Sequence, residues 1–318
     1  MRRFERIHVH LPVLADFAND PVEQRLGDRE FVILEDNDAF IAALPEMEVV
    51  IGFRMPRGHW AAAERLQFVQ VPGAGVDSIV DQPDLPPDAV ICNATGAHDP
   101  EMSEFIMAML HATTYRVPQL VDQQRVHRWK PVTPTHTLTG GRVCILGLGT
   151  VGQSVASRAA GIGMEVVGVR NSGQPVDGVS RVVTPANRLE AITGATALVV
   201  LTPLTDDTRG MVSSVELAAL APGAVIVDVS RGGVMDIAAL TAALESGHVA
   251  GAAVDVFDVE PLPKDSELWD TPNLLVTPHT AGSSHDYSRR ISRLFAANLL
   301  AFERGETPPG LVDRSLGY

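Results

Sequence analysis

At 318 residues, 45% hydrophobic and 20% charged, the chain has the length and composition of a globular protein with two domains, each with its own core. A formal net charge of −14 weighs against a nucleic-acid partner, because phosphate recognition relies on clustered Lys and Arg. No apolar stretch approaches the ~20 residues of a spanning helix, and Met1–Arg6 leads into Ile7-His8-Val9-His10 rather than a signal-peptide core, so neither a membrane nor export is expected.

Strand-like runs alternate with helical ones along the chain, at Glu48–Phe53, Leu66–Val71, Ala89–Cys92, Val143–Leu146, Glu165–Val169, Ala197–Leu201, Ala224–Val229 and Ala252–Val256. Continuous Val, Ile and Leu with helices between them predict parallel sheets covered on both faces, an α/β fold. Cys92 and Cys144 fall inside such runs and read as small buried hydrophobes, which fits a reducing, cytoplasmic location. After Asp99 as N-cap and Pro100 in the first turn, Met102, Phe105, Ile106, Met109 and Leu110 follow helical spacing. Ile291, Leu294, Phe295, Leu299 and Phe302 do the same, closed by Gly305. These two helices predict the crossings between a central domain, residues 98–284, and an outer one built from both chain ends, residues 1–97 and 285–318.

Between them, the run Arg142–Leu146 feeds into Gly147-x-Gly149-x-x-Gly152 and then a small-residue helix from Gln153. This is the strand–turn–helix context of the dinucleotide-binding fingerprint. Gly147 permits the tight turn, Gly149 lets backbone approach a pyrophosphate, and Gly152 lets helix and strand pack closely. A glycine turn serving packing alone is the competing reading. The next strand ends in Arg170-Asn171-Ser172, where an NAD-selective protein would carry an acid for the ribose hydroxyl and an Arg instead accommodates the 2′-phosphate of NADP. NADP(H) is therefore the expected preference, with NAD(H) as the second choice.

Three later strands each lead into a polar residue: Ala224–Val229 into Ser230-Arg231, Ala252–Phe257 into Glu260, and Leu274–Val276 into Thr277-Pro278-His279. Ligands in open α/β sheets lie beyond the carboxyl ends of strands, so Arg231, Glu260 and His279 are candidates for one cleft. A guanidinium matches a carboxylate with paired donors, a protonated imidazole can deliver a proton to a carbonyl oxygen, and a carboxylate beside it favours the charged form. Taken singly, each also has a structural reading: a helix-capping Arg, a loop acid, and a His that satisfies a backbone carbonyl.

The segments Val229–Gly233, Asp255–Leu262 and Thr277–Gly282, with Leu201–Gly210 and Gly73–Asp77, together resemble the D-isomer-specific 2-hydroxyacid dehydrogenase family. Gly73–Ile79, Trp129-Lys130-Pro131 and Glu260–Pro263 followed by Leu268-Trp269 are most similar to its glyoxylate/hydroxypyruvate reductase branch. The resemblance implies a Rossmann-type, doubly wound parallel sheet inserted in a flavodoxin-like substrate domain. It implies Arg231 as binder of the substrate carboxylate, His279 as acid/base and Glu260 as its partner, with the backbone of Ala74 and Gly75 holding substrate. Cofactor contacts are implied for Gly147, Gly149, Thr150, Val151 and Gly152, for Arg170, Asn171 and Ser172, and for Pro203, Thr208, Val229, Ser230 and Asp255, the last touching the nicotinamide amide. A small 2-oxo or 2-hydroxy acid as substrate, no metal, and a homodimer formed through the nucleotide domain complete the expectation. The chain departs from many members of the family at Gly96-Ala97-His98-Asp99, where an Asn is common, and in the basic Arg54-Met55-Pro56-Arg57. Two other readings stay open: a cofactor-sensing corepressor on the same fold, and a dehydrogenase of another acid. Glu260, where formate enzymes are expected to carry Gln, weighs against a formate dehydrogenase.

Overall fold

The computed structural model describes residues 2–10 and 26–314. The chain forms two compact units, Met1–His98 with Ser284–Tyr318, and Asp99–Ser283.

In the first unit a parallel sheet of five strands runs in the order β2-β1-β3-β4-β5. The strands are β1 (Arg6–His10), β2 (Glu30–Leu34), β3 (Val49–Gly52), β4 (Phe68–Gln70) and β5 (Val90–Cys92). This is the flavodoxin-like order. Alternate side chains serve opposite faces. Ile7, Val9, Val49 and Ile51 pack with Ile291, Phe295 and Leu299 of the Tyr287–Arg304 helix, whereas Val50, Val69 and Ile91 pack with Phe40, Leu44 and Trp60. The helix ends as expected on Gly305, left-handed at φ 74.

The second unit carries a seven-stranded parallel sheet in the order β12-β11-β10-β9-β6-β7-β8. Its strands are β6 (Arg142–Leu146), β7 (Glu165–Val169), β8 (Arg181–Val183), β9 (Ala197–Val200), β10 (Ala224–Asp228), β11 (Val249–Val254) and β12 (Leu274–Val276). Counted from β6, the order is the doubly wound 3-2-1-4-5-6 with one further strand. Cys144 and Leu146 belong to one core layer, Val143 and Ile145 to the other, so both faces of β6 are dry. Burial on both faces explains the unbroken Val/Ile/Leu composition.

Three strands were not evident from composition. In β1, Ile7 and Val9 alternate with His8 and His10, which are nonetheless buried, and burial pushes both imidazole pKa values down. Strands β2 and β8 lie at sheet edges and are only partly covered. The helix expected to start at Pro100 begins at Glu101, with Pro100 in the N-cap position. The Asp99 carboxylate accepts the hydroxyls of Ser103 and Ser154, both at 2.7 Å. Burial pushes the Cys92 and Cys144 thiols up to about 12, as for inert core residues.

Candidate active site

The site of the second unit grows from three neighbouring strands. Asp228 of β10 pairs in register with Val254 of β11, and Val254 with Val276 of β12. Arg231 and His279 each stand three positions beyond their strand's register-matched residue, and Glu260 lies in the loop after the strand between them. Parallel strands bring all three loops to the same edge of the sheet. Gly232 lets two of them touch: a Cβ there would stand 2.3 Å from the carbonyl of Phe257. Any side chain at this position would force the Arg231 loop away from the one that carries Glu260.

His279 Nδ1 lies 2.7 Å from Glu260 Oε2, and the other Glu260 oxygen accepts the Phe257 N–H at 3.0 Å. Each carboxylate oxygen therefore has a fixed task, and the imidazole keeps Nε2 for another partner. Side-chain exposures of 45% for His279 and 25% for Glu260 leave the pair open to a small molecule. His279 has φ 50, in the left-handed region that non-glycine residues avoid. Its N–H is held by the carbonyls of Asp255 (2.9 Å) and Thr277 (3.1 Å). The Asp255 carboxylate, 2% exposed, accepts the Thr277 hydroxyl and the N–H groups of Thr280 (2.9 Å) and Ala281 (2.8 Å). A buried acid thus clamps the turn on both sides of His279.

A second buried acid shapes the turn before Arg231. Asp228 Oδ1 accepts both the N–H (3.0 Å) and the hydroxyl (2.6 Å) of Ser230, and Arg231 donates to the Ser230 carbonyl at 2.8 Å. Burial, with a contribution from Asp255, pushes the Asp228 carboxyl up to about 6.

The glycine turn has the form that a dinucleotide requires. Gly147 is left-handed at φ 104, and a Cβ on Gly152 would stand 2.0 Å from the Gly147 carbonyl oxygen, whereas nothing lies within 4 Å of the Cβ position of Gly149. Gly149 is the N-cap of the Thr150–Gly161 helix, whose first-turn N–H groups, those of Thr150, Val151 and Gly152, have no intrahelical acceptor. The Gly147 and Leu148 N–H groups donate to Val169 at 3.0 and 3.2 Å, which brings the end of β7, and so Arg170, Asn171 and Ser172, beside this turn. Thr202 Oγ1, beside Gly147, is buried without a hydrogen-bond partner in the protein. An open cradle with an orphaned hydroxyl next to it fits a nicotinamide dinucleotide.

Not every expected contact residue points outward. Thr208 Oγ1 donates to the Pro203 carbonyl at 2.6 Å and accepts from the Thr205 N–H, so it shapes its own turn. Val229 and Ser230 are buried, and Asp255 is engaged by the His279 turn. Ala74 and Gly75 belong to the first unit, in the turn between β4 and the Asp77–Val80 helix. In the same unit Arg57 pairs with Asp81, while Arg54 is exposed in a left-handed conformation (φ 44). Among the described residues, no group of three or more His, Cys, Asp or Glu is placed to hold a metal.

Residues 107–281 match the D-isomer specific 2-hydroxyacid dehydrogenase, NAD binding domain. The chain is 33% identical over 273 residues to glyoxylate/hydroxypyruvate reductase A of Serratia proteamaculans (strain 568), covering 84% of this chain and 86% of that one. The chain belongs to the D-isomer specific 2-hydroxyacid dehydrogenase family. A glyoxylate reductase of Korarchaeum cryptofilum (strain OPF8) is also 33% identical, over 80% of this chain and 78% of its own. Among solved members of the family, a 2-hydroxyacid dehydrogenase from Xanthobacter autotrophicus Py2, crystallised with NADPH and MES, superposes with a TM-score of 0.88 at 32% identity, covering 99% of both chains. An NADPH-dependent glyoxylate/hydroxypyruvate reductase from Sinorhizobium meliloti, bound to NADP and sulfate, gives 0.86 at 27% identity, covering 99% of this chain and all of that one. The protein is therefore an enzyme of the 2-hydroxyacid dehydrogenase class, built on the two parallel α/β sheets described above.

Sequence reasoning missed Thr202, Asp228 and the bracing work of Asp255. Asp228 ends β10 and Asp255 directly follows β11, and an acid at the end of a hydrophobic run was the available signal.

Proposed function

We propose that the enzyme reduces a small 2-oxo acid, such as glyoxylate or hydroxypyruvate, to the D-2-hydroxy acid, with NADPH preferred over NADH. The His279–Glu260 pair, partly exposed beyond the carboxyl ends of β11 and β12, on the same edge of the sheet as the glycine turn after β6, carries this reading. NADPH, when bound, supplies the hydride that adds to the carbonyl carbon. His279 gives the carbonyl oxygen its proton, and the Glu260 carboxylate on Nδ1 orients the ring and leaves Nε2 for the substrate. Arg231 is assigned to the substrate carboxylate through its planar pair of donors. The N–H groups of Ala74 and Gly75 are assigned to substrate binding, as the family resemblance implies.

The half-exposed Arg170 and the exposed Asn171 and Ser172 support the cofactor preference, since they offer a cation and donors beside the glycine turn where an acid would repel a 2′-phosphate. Glycine-turn amides, with Pro203, Thr208, Val229, Ser230 and Asp255, complete the proposed cofactor surroundings, the buried ones as its framework. Formation of a homodimer through the second unit belongs to the same reading: Val117, Leu120, Val121, Val126 and Trp129 form an exposed apolar series along and after the Val117–Arg125 helix. We place the enzyme in the cytoplasm, a location that the two unpaired, buried cysteines support.

The test follows NADPH and NADH oxidation against glyoxylate, hydroxypyruvate, pyruvate, phenylpyruvate and 2-oxoglutarate. The highest kcat/KM is expected for one of the first two with NADPH. Equal kcat/KM with both cofactors would overturn the preference. A larger kcat/KM for phenylpyruvate or 2-oxoglutarate would overturn the small-acid assignment.

A further inference from the structure

In the first unit three consecutive carbonyls are each tied by a different donor. The Pro72 carbonyl accepts the Tyr287 hydroxyl at 3.0 Å, the Gly73 carbonyl accepts the Ala94 N–H at 2.9 Å, and the Ala74 carbonyl accepts Asn93 Nδ2 at 3.0 Å. The donors come from separate parts of the chain, the loop after β5 and the first turn of the Tyr287–Arg304 helix.

Both ties are themselves fixed. Asn93 is buried, its Oδ1 accepts the Thr95 N–H at 3.1 Å, and its own N–H donates to Gly310 at 2.9 Å. That bond to Thr95 assigns the amide orientation and leaves Nδ2 as the donor toward Ala74. Tyr287 stacks on His98 with ring centroids 5.4 Å apart, and burial raises the pKa of its phenol, so the hydroxyl remains a donor.

In a trans peptide the C=O of one residue and the N–H of the next point in opposite directions. Fixing the carbonyls of Gly73 and Ala74 on one side therefore turns the N–H groups of Ala74 and Gly75 to the other. Among the described residues neither N–H meets an acceptor, Ala74 is exposed and Gly75 half-exposed. Adjacent free main-chain N–H groups are donors for an anion.

We propose that Asn93 and Tyr287 are positioning residues that present the Ala74 and Gly75 N–H groups to the carboxylate of the substrate. The proposal rests on the 2-oxo acid reading above. One turn serves as the donor, and two side chains remote in sequence set its direction.

Tyr287→Phe removes one tie and keeps the ring, while Asn93→Asp sets an acceptor against the Ala74 carbonyl. With the best 2-oxo acid of the panel, KM should rise ~3- to 10-fold for Tyr287→Phe and more for Asn93→Asp. The kcat of Tyr287→Phe should stay within about twofold of the parent, and KM for NADPH should be unchanged in both variants. A general loosening of the fold would instead move kcat and both KM values together. Hydrogen exchange at the Ala94 N–H reads the same turn without turnover, because that bond to Gly73 lies between the two ties; both variants should accelerate it. Unchanged KM for the oxo acid, or unchanged exchange at Ala94, overturns the bracing. A parent enzyme that reduces no 2-oxo acid overturns the functional reading, and exchange at Ala94 then decides the bracing by itself.

Discussion

The His279 turn and the Pro72–Gly75 turn solve one problem in opposite ways. At His279 the functional group is a side chain, and a buried carboxylate, Asp255, collects a hydroxyl and two N–H groups around it. At Ala74 and Gly75 the proposed functional groups are main-chain N–H groups, and donors from Tyr287, Ala94 and Asn93 hold the carbonyls behind them. An acceptor gathers donors in the first case, and donors gather acceptors in the second. The difference teaches that a reactive side chain needs its backbone clamped, whereas a reactive backbone needs its other polar half occupied.

The largest break in this comparison removes the side chain on which the first clamp acts. His279→Ala should lower kcat by ~10²–10⁴ and leave NADPH binding nearly intact, measured by steady-state rates and by cofactor fluorescence titration. Ala74 and Gly75 offer no equivalent clean deletion, since only proline lacks the N–H and it would also fix the φ of the turn.

Asp228 sharpens the acid side of the comparison, because its clamp carries a stability penalty. Its folded-state pKa is raised from 3.8 to about 6 by burial, so the folded protein holds this proton more tightly than the unfolded chain does. The penalty is absent below the unfolded pKa, grows as pH rises toward 6, and is full above it. Asp228→Asn keeps an acceptor for Ser230 and removes the charge. It should stabilise the fold by up to about 3 kcal/mol at pH 8 and by little at pH 4, a difference that chemical denaturation at the two pH values would measure. Equal effects at both would show that Asp228 titrates normally.

A smaller effect is expected where charge is kept and only shape changes. Arg231→Lys should lower kcat/KM for the oxo acid by ~10- to 100-fold, since Lys lacks the planar fork that pairs with a carboxylate. Parental kcat/KM in this variant would move the carboxylate contact elsewhere, with the exposed Arg54 the next residue to test.

The same contrast explains what the sequence made legible. Reactive side chains announce themselves: Arg231, Glu260 and His279 follow apolar strands, and the Gly147–Gly152 spacing stands between a strand and a helix. Strands buried on both faces were equally plain, as in Val143–Leu146 and Ala224–Val229. Strand β1 was not, because His8 and His10 break its apolar pattern while packing inside. The ties on Pro72 and Ala74 were out of reach for another reason. They join residues 215 and 19 positions apart, and neither a Tyr at the head of a helix nor an Asn after a strand states which carbonyl it will meet. Asp255 was assigned to the nicotinamide by resemblance, and only the geometry showed that its oxygens also hold the His279 turn.

The central claim is that His279 delivers the proton and that Glu260, 2.7 Å from Nδ1, holds the ring for that task. The kcat for 2-oxo acid reduction and the KM for NADPH, compared between the parent enzyme and Glu260→Ala, test it most directly. Losing the carboxylate frees the imidazole to turn, so kcat should fall ~10- to 100-fold while the KM for NADPH stays within about twofold. An unchanged kcat in Glu260→Ala would contradict the account.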